Sequence, residues 1–193
     1  MNNKEEIKNL KQIEKRKKKK LVDINWIIKI VTITFLISII MSYTQESLLP
    51  YIPVFFGIII VLLFILLGII FDMIGVSVTA SNISVFNSMA SRKVKGSKLA
   101  VKLKQNTDKV SSFCNDVIGD ICGVVSGACS ITIASNISKL FNINYLILSL
   151  IITSIVSSLT IGGKAIGKNI AINKSDIILY RFCLFLTIFY KEK

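Results

Sequence analysis

Apolar residues occur along this chain in long stretches rather than at alternating or helical spacing, with short polar segments between them. The run from Ile24 to Tyr43 is about 20 residues long, which at 1.5 Å per residue covers the ~30 Å of a bilayer's hydrocarbon. Residues Tyr51–Phe71 read YIPVFFGIIIVLLFILLGIIF, and only a membrane helix accounts for such a segment. A third run, Phe113–Ile133, is rich in small residues, and a fourth, Ile143–Ile161, carries no charge. Between the second and third lies a basic stretch over 79–111. Its Met89, Val94, Leu99, Leu103 and Val110 are spaced mostly in threes to fives, predicting helix in a water-facing loop. The last apolar patch, Ile177–Tyr190, is short for a span and contains Arg181, so 176–193 reads as a helix lying in the interface. The pattern predicts an all-α polytopic membrane protein. It has a basic tail over 1–23, an N-terminal span over 24–43, three further spans over 51–71, 113–133 and 143–161, and interfacial helices on the cytoplasmic side.

Composition agrees, with 52% of the 193 residues hydrophobic. The formal charge of +13, from 24 Lys and Arg against 11 Asp and Glu, is segregated between the apolar runs. That distribution points to an anionic inner leaflet as partner and not to nucleic acid. Nine of the basic residues fall in the first twenty positions, and seven lie between Ser88 and Lys109, where Asp108 is the only acid. The two other short loops hold Glu46 and Lys139 alone. By the positive-inside rule both termini and the central loop are cytoplasmic, and four spans satisfy that alternation in a multi-pass protein of the cell membrane. No Ala-x-Ala-like cleavage site follows Tyr43, so the first span reads as an uncleaved anchor, with Lys29 placed to snorkel.

The chain contains no histidine, which excludes Ser-His-Asp and Cys-His catalysis and HExxH zinc sites. Neither a phosphate loop nor a cofactor motif is visible, so no enzymatic activity is expected. Cys114, Cys122, Cys129 and Cys183 form no CxxC pair and read as small buried hydrophobes. The third span carries a ladder of Gly119, Gly123 and Gly127, a spacing that lets another helix approach closely. Asp116 and Asp120 are four apart and share a face beside Asn115, and Asp72 lies at the end of the second span at similar depth. Magnesium takes one or two carboxylates with retained water, so Asp120, Asp116, Asp72 and Asn115 are candidate ligands. The competing reading is structural pairing with Lys109, Lys164 or Lys168 at the same surface.

In the order of these elements, the chain from Phe71 to about Tyr190 resembles the transmembrane domain of the CorB/cyclin M (CNNM) family of magnesium and cobalt transporters. Met89, Ala90, Lys95, Gly96 and Ser97 stand where that family has Leu-Ala-x-x-Gly-x-x-Gly-Ala. Asn106, Thr107, Asp108 and Lys109 look like its Asn-Pro-Asp-Arg turn, and Gly119 with Asp120 like its Gly-Asn-Asn. The stretch from Gly163 to Ala171 is similar to its Gly-Glu-x-x-Pro-Lys-x-x-Ala. Three departures stand out: the family's acid is Lys164, its proline is Gly167 (before Lys168), and its asparagine is Asp120. The family's cytoplasmic nucleotide-binding domains have no counterpart in these residues, and an additional span precedes the matched region over 51–175. The resemblance implies a homodimer that moves a divalent cation, magnesium or cobalt. Two functions follow: a minimal, degenerate cation transporter domain, or a non-transporting membrane scaffold acting through helix packing and anionic-lipid contacts. Lys164 favours the second and the retained carboxylates the first.

Overall fold

The computed structural model describes residues 24–189, so the basic tail expected over 1–23 and the last four residues lie outside the described residues. Every regular element among the described residues is helical. Seven helices follow in order: α1 Ile24–Leu48, α2 Val54–Ala80, α3 Ile83–Ser91, α4 Ser97–Gln105, α5 Thr107–Phe141, α6 Tyr145–Asn173 and α7 Ser175–Phe189. Of these, α1 (extended by a short turn to Tyr51), α2, α5 and α6 are long and apolar enough to cross a membrane. The chain divides into two compact units, 1–37 and 38–193. What is described of the first is the N-terminal part of α1; everything below concerns the second.

Within that unit α2, α5 and α6 pack against one another. The apolar window of α5 is 56% buried against 22% for α2 and 6% for α6, which makes α5 the central helix. Each long helix outruns the span read from its apolar run. Helix α2 continues through Asp72 to Ala80 because Ser77 and Val78 are completely buried, so tertiary packing holds the helix beyond the hydrocarbon. At the far end of α5 a left-handed Asn142 (φ 51°) ends the helix, and Asn144 starts α6 by accepting the Leu146 N–H at 2.9 Å.

The basic stretch over 79–111 is two short helices and the start of α5, not one helical loop. Lys93 and Gly96 both take positive φ (55° and 83°) between α3 and α4, a break that the apolar spacing does not reveal. Phe86 from α3, Ala100 from α4, Val78 from α2, and Leu179 and Cys183 from α7 form a small core with no exposed surface. One face of α7 is therefore a packing face, while Ile177 and Phe185 remain exposed on another. Charge closes this unit at its seams. The Lys104 ammonium donates to the Val78 and Thr79 carbonyls, both at 2.8 Å, capping the C-terminus of α2. The Asp176 carboxylate accepts the Asn82 N–H at 2.9 Å, and Asn82 in turn caps α3 by accepting the Ser84 N–H.

Candidate functional site

The candidate ligands gather where α2, α5 and α6 meet below the small core. Helix α5 enters this region through a π-helical segment, Phe113–Gly119, before resuming α-helical geometry at Asp120. Such segments are uncommon and often mark functional positions. Its wider turn brings Asn115 against α2, where Gly75 leaves room for it: an added Cβ at Gly75 would sit 2.6 Å from the Asn115 Cγ and collide with its Oδ1. The Asn115 amide nitrogen approaches the Ser111 hydroxyl at 3.4 Å, whereas Oδ1 is buried and lacks a partner among the described residues.

Asp116 and Asp120 are both exposed. Asp120 Oδ1 faces the Lys164 ammonium of α6 at 3.4 Å, with the two side chains 69% and 24% exposed. An ion pair this open to its surroundings stabilises by about 0.2–1 kcal/mol. Asp72 is half-buried, and the charges acting on it are Lys164, Lys168, Asp120 and Asp116. Asp116, Asp120, Lys164 and Lys168 thus lie within electrostatic reach of Asp72, whereas Lys109 is not among the charges that act on it. They do not converge as a ligand set: among the described residues no group of three or more Cys, Asp or Glu side chains is placed to hold a metal ion.

The glycines divide in an unexpected way. An added Cβ at Gly119 would lie 3.5 Å from the Lys164 ammonium and 3.9 Å from the Gly68 carbonyl oxygen. On the other side, Gly68 faces the Cys122 Cβ at 3.2 Å, so α2 and α5 approach almost backbone to backbone here. An added Cβ at Gly123 or Gly127 would meet nothing within 4 Å, so among the described residues the rest of the ladder makes no close helix contact. Close packing against α2 falls instead to Gly163 and Gly167 of α6. An added Cβ at Gly163 would clash with the Ile69 side chain, and one at Gly167 would lie 2.8 Å from the Met73 Cγ. Gly163 and Gly167 are also an i, i+4 pair of small residues, the signal that could have found them. Gly75 and the π-helical segment leave no comparable mark in the sequence. All four cysteines are buried and unlinked, as expected of small hydrophobes.

Fold and site together define an all-α polytopic protein with four apolar helices compatible with an integral membrane protein. No family model, no curated protein and no solved structure matches the chain.

Proposed function

We propose that this chain is a non-transporting integral membrane protein that acts through helix packing and through contacts of its basic surface with anionic lipid. The observation that carries this reading is the position of Lys164. Its ammonium lies 3.4 Å from Asp120 and beside Gly119, at the place where the resembled family has an acid. A divalent ion brought within ~4 Å of that ammonium would be repelled by several kcal/mol at an effective dielectric near 20. Positive charge orients the protein with both termini and the α3–α4 region on the cytoplasmic side.

A second reading, a divalent-cation transporter domain akin to the CorB/cyclin M family, is favoured by one feature. The charges of Asp116 and Asp120 act on Asp72, and the neighbouring Asn115 has a buried carbonyl oxygen that accepts no hydrogen bond among the described residues. Magnesium or cobalt would be its cargo. Flux of either ion into proteoliposomes of the pure protein separates the two. Entry no faster than into empty vesicles, with no magnesium stabilisation beyond that of sodium at equal ionic strength, is expected here. Flux that Asp120→Asn lowers would overturn the non-transporting reading.

A further inference from the structure

Helix α4 presents three distinct faces. Ala100 is fully buried in the small core, and Lys104 reaches the end of α2. Lys98 and Lys102, one turn apart, are exposed. Leu99 and Leu103, also one turn apart, are only half-buried, and their outer surfaces form the floor of a groove of about 330 Å³. Val110 of α5 and Leu186 of α7 complete its apolar walls, and Lys102 and Asn106 stand at its rim.

The polar rim is biased toward donors. Carbonyls at the end of α4 are already used locally: Lys102 O by the Asn106 side-chain amide, Leu103 O by the Asn106 N–H, and Lys104 O by the Thr107 hydroxyl. With its amide turned back on α4, Asn106 makes no side-chain cap to α5. Lys102 carries no ion pair with a described residue, and Asp108 is the only acid between Ser88 and Lys109.

Depth identifies the occupant. Helix α5 has 35 residues and is ~52 Å long, well over the ~30 Å of hydrocarbon, so its first turns stand at headgroup level. An apolar groove open at that depth, with the Lys102 ammonium at its rim and Lys98 one turn away, matches a phosphodiester joined to an acyl chain. We propose that the α4–α7 groove binds one anionic glycerophospholipid, with an acyl chain on Leu99, Leu103, Val110 and Leu186 and its phosphate on Lys102 and Lys98.

This site deepens the lipid-contact reading above and rests on it. The test uses the full chain in nanodiscs of mixed phosphatidylglycerol and phosphatidylcholine, with lipid retained after release counted by native mass spectrometry. Wild type is expected to keep one phosphatidylglycerol per chain in preference to phosphatidylcholine. The double variant Lys98→Gln/Lys102→Gln should lower that retention by an order of magnitude, as expected for two basic residues at an anionic headgroup. Leu186→Trp, which fills the groove and spares both lysines, should lower it similarly. Retention unchanged in either variant overturns the two-part site while leaving a general preference for anionic lipid standing. Wild type without preference for phosphatidylglycerol overturns both. Displacement by millimolar glycerol phosphate as effective as by intact lipid shows a phosphate site without an acyl partner and also overturns the proposal.

Discussion

The contact between Gly75 and Asn115 gives the most direct test of how α2 and α5 are held together. Gly75→Ala adds a methyl group 2.6 Å from the Asn115 Cγ, far inside van der Waals contact. Flipping the amide about its last torsion cannot relieve the overlap, because Cγ does not move in that rotation. Asn115 must therefore leave its rotamer or the helices must part, and overpacking of this kind costs about 1–3 kcal/mol. Against it stands the gain from replacing glycine by alanine inside a helix, about 0.8–1 kcal/mol. The net effect is a destabilisation of roughly 0–2 kcal/mol, which at about 2–4 °C per kcal/mol for a chain of this size lowers Tm by up to about 8 °C. In an Asn115→Ala background the overlap is gone and only the helical gain remains, so the same substitution should then raise Tm. The four buried free cysteines supply the assay, since a thiol-reactive dye reports their exposure as detergent-solubilised protein is heated. A double-mutant cycle should yield a coupling of about 1–3 kcal/mol. If Gly75→Ala alone raises Tm, or shifts it equally in both backgrounds, the two residues do not meet as described.

Three other outcomes follow from the same geometry. Gly123 has open space beside it among the described residues, so Gly123→Leu should leave stability within ~0.5 kcal/mol of wild type, while a homodimer built on that face would become monomeric in size-exclusion light scattering; a large fall in Tm would place a close neighbour within the chain itself. Lys104→Met removes a charged donor from the Val78 and Thr79 carbonyls and should cost about 1.5–3 kcal/mol. Burial pushes the Lys104 ammonium below its usual 10.5, with Asp176 opposing, so the unfolded chain holds that proton more tightly and wild-type stability should rise with pH in the window just below 10.5. Denaturant titrations at several pH values in that window should show this slope in wild type and its loss in Lys104→Met. Orientation is read at two exposed positions: Lys95→Cys should react with an impermeant maleimide only after permeabilisation, and Ser47→Cys on intact cells.

The spans were legible in the sequence because hydrocarbon makes a demand that composition alone can meet: about 20 apolar residues in a row. Their ends were not, since beyond the bilayer a helix stops where its packing stops. Nothing local distinguishes Asp72–Ala80 as helix, and what fixes it there is the burial of Ser77 and Val78 against partners up to a hundred residues away in the chain. Spacing identified the carboxylates Asp116 and Asp120 as neighbours on α5, yet the charge that faces Asp120, Lys164, comes from α6. The glycine ladder shows the limit most clearly. Spacing reveals that a helix has a small-residue face but not whether another helix lies against it; of Gly119, Gly123 and Gly127 only the first has a close neighbour in the chain. The π-helical segment adds a local shift of register that no residue in Phe113–Gly119 announces, and with it the inward turn of Asn115.

Lys164 and the close approach of α2 and α5 are best understood as one feature. The ammonium sits beside Asp120 and next to Gly119, where an added Cβ would meet it in ordinary contact at 3.5 Å, and Gly119 itself lies close to Gly68 across the helix pair. A carboxylate in place of Lys164 would face Asp120 on helices that packing does not allow to separate, since Gly163 and Gly167, one residue before and three after, are pressed against Ile69 and Met73. Two like charges held there would destabilise the pair unless a cation came between them. Lys164 supplies the opposite charge from the chain itself, and among the described residues no group of three or more carboxylates or thiols gathers to hold a metal ion. The proposal of a non-transporting protein therefore rests on the placement of Lys164 beside Asp120 and not on the family resemblance.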